Sequence, residues 1–530
     1  MGTANAANEF ADFLLGYYAS TNASAGTQIG WFSQYNVMPY VQDDWRLGKK
    51  LTVNLGLRYD NYTTPKEKNN HAGTFDIVNN SYKLGLYPAN KYNFSPRIGL
   101  AYALNDRTSI HAGFGTYFYQ FGYVDLNYVM NDPSYITQLN STQTQAQPVI
   151  WPSTASTNSN PDITSAATQR GYAEQFKLSD AEAIWANMPA PSGTFPTGGT
   201  TFAPKMPTSY AEQWNLAIQR VFGKDWLLTL DYSGSENHHG IFISNPNLAS
   251  LPSAAEISSG IYTTTADINS RRPYTSYAGD LSQFSKWNSA NYHGLETQLR
   301  KSFSSGFEFT TSFTWQKGMD YQSSDNNPGQ AGRRPQDDYG PSDFIQKILY
   351  KANGIYELPF GQGKTFLNGG KWWENQIGGW RLSGDVYTET GFPFSVVASS
   401  NAAIGGGINE RANWLCNGNK SSHGSTYSQY LQYINTSCYS QPAGGALGNE
   451  RRNDLLGPRN TNIDLSAFKE FIIHDELKFQ LRGDAFNALN HVNLGEPTKE
   501  ITASDFGAAD ANDGNTAPGR VIQISAKILW

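Results

Sequence analysis

Apolar and polar residues alternate one for one from Leu477. Leu477, Phe479, Leu481 and Ala485 fall on one parity, and Lys478, Gln480, Arg482 and Asp484 on the other. The chain closes on the same rhythm, with Ile522, Ile524, Ala526, Ile528 and Trp530 alternating with Gln523, Ser525 and Lys527. In a third run Leu51, Val53, Leu55, Leu57 and Tyr59 oppose Thr52, Asn54, Arg58 and Asp60. A period of two sends successive side chains to opposite faces, so each run predicts a strand with one apolar and one polar face. Along the whole chain the pattern predicts about fourteen strands. They cover 10–20, 30–46, 51–60, 93–104, 108–120, 208–222, 226–236, 289–303, 307–317, 343–358, 379–391, 461–473, 477–487 and 520–530.

The connections alternate in length. Tight turns stand at Leu47–Lys50, Asn105-Asp106-Arg107, Gly223-Lys224-Asp225, Ser304-Ser305-Gly306 and His474-Asp475-Glu476, rich in the residues that reversals need. A longer turn joins 358 to 379. Between the hairpins lie polar stretches at 61–92, 121–207, 237–288, 318–342, 392–460 and 488–519. A soluble domain rarely tolerates loops of that number and length. Short turns on one side and long loops on the other predict an all-β, antiparallel transmembrane β-barrel, with periplasmic turns and extracellular loops. An even strand count puts both chain ends on the periplasmic side. Ser179 and Glu182 have capping-box spacing and predict a short loop helix over 181–187.

The two faces then acquire separate roles. Trp31, Tyr40, Trp45, Tyr59, Tyr102, Phe118, Trp214, Trp226, Phe307, Trp315, Trp380 and Trp530 fall mostly near strand ends, where aromatic girdles at two membrane interfaces place them. The polar face carries Arg58, Asp60, Arg97, His111, Asp231, Glu296, Arg300, Glu308, Arg381, Asp385, Lys478, Arg482, Asp484 and Lys527. Within a membrane such charges are tolerable only toward water or another protein element, so these are the candidate lumen-facing residues.

Composition sharpens this picture. Charged residues make up 16%, below the ~25% usual in soluble domains, while aromatics reach 14%. Mean hydropathy is nevertheless −0.52, as expected when lumen residues cancel lipid-facing ones. No apolar run is long enough for a membrane-spanning helix, which does not exclude a membrane, because barrel strands need only about 9–11 residues each. The net charge of −6 carries no basic stripe for nucleic acid. Cys416 and Cys438 share one Gly/Asn/Ser-rich loop, an arrangement that predicts a disulfide made in an oxidising compartment; two free thiols are the alternative. The start, MGTANAANEFADFLLGYYAS, has no basic n-region and no apolar h-region. An exported barrel needs a leader, so either one has been removed or the chain begins partway into a longer protein.

Catalytic signatures are missing: no GxSxG, Walker A, dinucleotide fingerprint or HExxH occurs. No cofactor or enzyme activity is predicted. His238-His239, with His293 remote in sequence, is the best metal candidate, but neighbouring residues point to opposite sides and make poor joint ligands. Asp510, Asn512, Asp513 and Gly514 miss calcium-loop spacing. Asp43-Asp44 and Asp337-Asp338 lack an opposing carboxylate for glycosidase chemistry. Ligand contact is instead expected of loop aromatics, with Tyr321, Tyr339, Trp414, Tyr427 and Tyr430 as candidates.

Several long segments resemble one family. GPRNTNIDLSAFKEFIIHDELKFQLRGDAFNALNHVNLGEP, then Phe506-Gly507, then PGRVIQISAKILW is similar to the end of the Oar-like β-barrel branch of the TonB-dependent outer-membrane transporters. EFADFLLGYYAS, YVQDDWRLGKKLTVNLGLRYD and NFSPRIGLAYALNDRTSIHAGFGTYF are similar to earlier segments of the same barrel. The resemblance covers nearly the whole chain. It implies the C-terminal part of a barrel of about 22 strands, with the plug, the TonB box and a carboxypeptidase-regulatory-like domain having no counterpart here. It also implies a bacterial outer-membrane location and partnership with outer-membrane lipid, the TonB complex and the barrel-assembly machinery, which would read Trp530. The implied cargo is a small ligand such as an oligosaccharide, a peptide or a metal chelate. Two further readings fit the residues: a stand-alone porin-like passive channel, and a secreted all-β adhesin or glycan-binding protein.

Overall fold

The structure is a computed structural model. It describes residues 20–25, 32–68, 73–79, 81–84, 87–120, 137–142, 200–275, 279–324, 335–369, 371–398, 410–419, 432–474, 477–509 and 519–530. Thirteen strands form one antiparallel meander in which each pairs with the next in sequence. They are β1 Tyr40–Leu47, β2 Leu51–Tyr59, β3 Phe94–Asn105, β4 Thr108–Tyr119, β5 Ser209–Phe222, β6 Trp226–Ser244 and β7 Ser282–Ser304. β8 Phe307–Asp320, β9 Ile348–Glu357, β10 Trp380–Glu389, β11 Asn460–His474, β12 Leu477–Phe486 and β13 Val521–Leu529 complete it. Among the described residues β1 and β13 pair on one side only.

These strands match thirteen of the predicted ones. The first, at 10–20, lies outside the described residues except for Ser20. Ser20–Ala25 is a strand, but it pairs with Thr137–Thr142 and stands off the meander. The region 30–46 is not one strand: Phe32–Ser33 and Asn36–Val37 are short pieces pairing elsewhere, and only Tyr40–Leu47 joins the sheet. Pro39, which has no N–H to give a ladder, separates these pieces from the strand. β6 and β7 are longer than predicted, at 19 and 23 residues. A tilted strand needs only about 9–11 residues to cross a bilayer. The excess rises on the long-loop side, where Phe202, Met206 and Phe284 form a small core with Ile241 and Ile243.

Register assigns every side chain to a face, because directly opposed residues share one. The pairs Trp45–Val53, Leu55–Ile98, Phe114–Trp214, Leu216–Tyr232, Leu295–Trp315 and Phe313–Tyr350 run across one face. Leu382, Leu465, Leu481 and Ile524 continue it. This face has no protein core to bury in. Ile98, Phe114, Leu216, Phe313, Trp315, Leu382, Leu465 and Ile524 are all exposed, Ile524 by 78%. A continuous apolar surface of this extent is a membrane-facing feature.

Trp45, Tyr102, Trp226, Phe307 and Trp380 stand on this face beside the short turns, and Tyr59, Phe118, Trp214 and Trp315 toward the loop ends. From Phe307 to Trp315 the strand advances about 26 Å, or about 20 Å of height after tilting, close to the ~25 Å apolar band of outer-membrane barrels. Tyr40 departs from the expectation. It pairs with Arg58 and belongs to the polar face. Trp31 lies outside the described residues, and Trp530 follows the end of β13, 92% exposed.

Among the described residues there are three short α-helices: α1 Ala254–Ser259, α2 Thr265–Ser270 and α3 Trp372–Ile377. The first two sit in the β6–β7 loop. Ser253 and Glu256 form a capping box there, and Thr264 caps α2. The capping box predicted at Ser179 and Glu182 lies outside the described residues. No helix among the described residues is long and apolar enough to cross a membrane.

Candidate ligand-binding wall and loop body

The ten strongest lumen candidates, Arg58, Asp60, Arg97, Glu296, Arg300, Arg381, Asp385, Lys478, Arg482 and Asp484, all stand on or just beyond the polar face. Several are neutralised within the wall. Arg58 meets Asp60 at 2.8 Å, and Asp60 is fully buried. Arg482 meets Asp484 at 2.7 Å and lies over the Phe468 ring. Arg381 and Lys364 share Glu357, at 2.9 and 2.7 Å. Lys478 approaches Glu470 at 3.6 Å. Two acid pairs are instead directly opposed: Asp231 with Glu296, and Asp385 with Asp464.

Arg97 differs. No ion pair of its guanidinium is found among the described residues; its Nε, like that of Arg58, is buried. It lies 4.7 Å over the Tyr117 ring. Both residues line a cavity of about 550 Å³ on the polar face, across β1 to β7. The cavity exists because this part of the wall carries glycine where other strands carry side chains. Gly99 directly opposes Gly113, and Arg97 is flanked by Gly56 and Gly115. Amides lie across these glycines. Asn215 Oδ1 sits 2.6 Å from where a Gly113 Cβ would stand, and Asn54 Oδ1 sits 3.2 Å from that of Gly99. Tyr292 leans over Gly294 and donates its hydroxyl to Gln316 Oε1 at 2.8 Å.

On the long-loop side, connections fold into a compact body. Phe394, Val396, Ala412, Ile434, Cys438, Tyr439 and Leu455 form its core, with Ile501 and Phe506 against it. Cys416 and Cys438 are joined by a disulfide within it, Cα–Cα 4.7 Å. Its electrostatics are buried. Arg411 donates to Asp338 Oδ1 at 2.7 Å, to the Glu450 carbonyl and to the Asp337 carbonyl. Arg452 donates to Asp320, Asp343 and Ser323. Burial pushes the Glu450 carboxyl up to about 8, against the Val396 N–H that both its oxygens accept and the Arg411 charge. Burial likewise raises Tyr439, with the nearby Glu450 and Asp454 adding to it.

Sequence reasoning missed this network. Asp337-Asp338 read as acids without a partner, yet Asp338 has Arg411, which comes from a different loop. Of the loop aromatics, Tyr321 and Tyr339 pack with ring centroids 5.0 Å apart, and Trp414 is exposed. Tyr427 and Tyr430 lie outside the described residues, as do Asp510, Asn512, Asp513 and Gly514. His238 and His239 both lie against the Tyr210 ring, with ring centroids 4.8 and 5.6 Å away; His239 takes a left-handed conformation, φ 57°, and His293 shares a 2.9 Å hydrogen bond with the Tyr232 hydroxyl. His238 joins Glu212 and Glu236 instead, with side-chain atoms within 4.8 Å of one another.

An exposed apolar face between aromatic belts, backed by a charged wall and crowned by long loops, defines a β-barrel protein of the outer membrane. The chain belongs to the outer membrane beta barrel domain family, whose model matches residues 1–523. Its place is the bacterial outer membrane. No curated protein sequence matches it. It is similar to the ferripyoverdine receptor of Pseudomonas aeruginosa, at 10% identity and TM-score 0.39, covering 93% of this chain and 38% of that one. The outer membrane transporter YddB of Escherichia coli is similar at 11% identity and TM-score 0.40, over 93% and 54%. The ferric preacinetobactin receptor of Acinetobacter baumannii is similar at 12% identity and TM-score 0.40, over 92% and 42%. The chain thus spans roughly 38–54% of the length of these structures.

Proposed function

We propose that the chain is the C-terminal barrel portion of an outer-membrane uptake receptor of the TonB-dependent, Oar-like type. Loops capture a small ligand at the cell surface, and the polar face lines the passage it follows. The observation that carries this reading is the pairing of a folded loop body with a charged, cavity-bearing wall. A bare diffusion pore has no need of a disulfide-tied cap of buried ion pairs over one end. On this reading the remaining strands and a plug belong to the rest of the natural protein, the TonB complex supplies energy, and the assembly machinery reads Trp530. The residues do the work of positioning and passage; the reading involves no covalent step.

The test uses the full-length natural protein. An energised receptor gives closed, non-conducting barrels in planar bilayers, and cells expressing it lose ligand accumulation when the proton gradient is collapsed. Steady ionic conductance without an energy source would point to a passive porin. A protein that stays soluble without detergent, and whose gel mobility is the same before and after boiling, would point to a secreted adhesin.

A further inference from the structure

We infer that the cavity around Arg97 is a binding subsite for an acidic oligosaccharide, one carrying a carboxylate among ring hydroxyls. The inference rests on the reading of the polar face as the ligand passage and narrows the ligand class. Arg58, one row toward the loops, is neutralised by Asp60 at 2.8 Å, whereas no ion pair of Arg97 is found among the described residues. A guanidinium without an ion pair in a cavity wall suits a planar oxyanion, which it grips end-on through its two Nη groups. Tyr117, under the guanidinium at 4.7 Å, holds its plane without consuming those donors.

The rest of the lining decides what surrounds that anion. The polar-face side chains are amides and hydroxyls, Asn54, Asn215, Gln213, Ser233 and Ser235, with no carboxylate among the cavity's lining residues. An amide offers a donor and an acceptor side by side, which suits adjacent sugar hydroxyls; Asn54 offers chiefly its oxygen, because its Nδ2 already donates to Asp44. Over the opposed glycines Gly99 and Gly113 the Asn54 and Asn215 amides lie close against the wall, so a flat ring meets a low floor of amides. Tyr292 lies flattened over Gly294 at the far edge and offers an aromatic face to the C–H side of a sugar ring. From Arg97 on β3 to Tyr292 on β7 is four strand spacings, about 19 Å, room for a short chain of linked rings. An acidic peptide fits less well, because apart from the Tyr117 and Tyr292 rings the polar-face side chains are polar and offer no aliphatic side chain to a peptide.

The experiment titrates the full-length protein in detergent with an oligogalacturonate, a neutral β-linked glucose oligomer of equal length, and inorganic phosphate, reading heat of binding. The acidic oligomer should bind at least about tenfold tighter than the neutral one, a charge-assisted preference. Arg97→Gln should abolish that preference while leaving neutral binding in place, Arg97→Lys should keep part of it, and Tyr292→Ala should weaken both sugars. Equal binding of the two oligomers, an unchanged preference in Arg97→Gln, no sugar binding, or phosphate displacing all of the bound sugar would each overturn the inference. Binding by purified protein needs no energy source. Sugar binding without uptake therefore sinks the uptake reading alone, and energised uptake without sugar binding sinks this one alone.

Discussion

The Trp214 indole occupies the space beside Gly234 on the adjoining strand where a Cβ would otherwise stand. The two residues are directly opposed on the apolar face, Trp214 on β5 and Gly234 on β6. An aromatic laid over a cross-strand glycine covers a backbone that would otherwise be bare, and fixes the ring at one depth. Trp214 belongs to the loop-side aromatic belt, so Gly234 helps set where that belt sits.

Gly234→Val should therefore evict the indole. Overpacking of this kind costs about 1–3 kcal/mol, and the displaced ring also loses its interfacial position. The expected outcome is slower assembly and a smaller heat-modifiable fraction on unboiled gels. Trp214→Ala in the same background should restore part of the loss, because the clash then has no partner. If Gly234→Val assembles like the parent, the ring is not held by this contact.

The Arg411–Asp338 pair ties two loops that are 73 residues apart in sequence. Its side chains are 8% and 0% exposed, so the bond is nearly free of solvent screening. Removing one partner of such a pair strands the other charge and costs about 3–5 kcal/mol. Arg411→Ala should open the loop body to protease while the strands stay protected and heat-modifiability is unchanged. Asp338→Asn should be milder, since the amide oxygen still accepts from Arg411.

Legibility followed sequence distance. Alternation needs only neighbours a few residues apart, which is why the faces of β2, β12 and β13 are legible directly, with Arg58, Lys478, Arg482 and Asp484 on one side. Tyr40 broke the rule. It is aromatic and stands near a strand end, but only register, through Arg58, shows which face it takes. The loop body could not be read at all. Its partners, Arg452 with Asp320 and Val396 with Glu450, are set by how separate loops meet, and no local period encodes that. The Arg97 cavity falls between these cases. Arg97 is visible as a charge, whereas the cavity around it, with its glycines and amides, emerges only when seven strands are laid side by side.

Glu450 should make the loop body sensitive to pH. Its carboxyl titrates near 8 in the folded state, above the usual 4.5. The folded form therefore binds this proton more tightly than the unfolded form, and its contribution to stability is full below about 4.5 and is lost as pH rises through about 8. Melting of the loop body, followed by near-ultraviolet circular dichroism, should occur at lower temperature at pH 9 than at pH 5. Glu450→Gln, which keeps an oxygen acceptor and does not ionise, should flatten that difference. A pH-independent melt in the parent would remove Glu450 as the cause.

The Cys416–Cys438 bond closes a segment with a sequence separation of 22. Loop-closure entropy for a segment of that size corresponds to about 3 kcal/mol. Cys438 is fully buried in the loop core, so the reduced thiol would stay packed and the loss should be chiefly entropic. Reduction should raise amide exchange around Ile434 and Tyr439 and leave β10 and β11 unchanged. Equal exchange before and after reduction would show that the apolar core alone holds the body together.

Leu382 and Ser383 are adjacent on β10 and face opposite ways, with Leu382 41% exposed on the apolar side and Ser383 opposite Ile355 and Ser466 on the polar side. An arginine on the lipid face costs about 2–4 kcal/mol at mid-depth and about 0–1 kcal/mol at the interface, so at Leu382, just inside the Trp380 belt, the cost should be intermediate, whereas the same residue in a water-filled lumen costs little. Leu382→Arg should lower folding yield into phospholipid vesicles and shift the urea midpoint of unfolding downward. Ser383→Arg should leave both nearly as they were and alter only ion selectivity. Because the two positions share strand, depth and neighbours, the contrast isolates the face. A soluble sheet wetted on both sides would reverse it or erase it, since Leu382→Arg would then simply add a charge to an exposed surface.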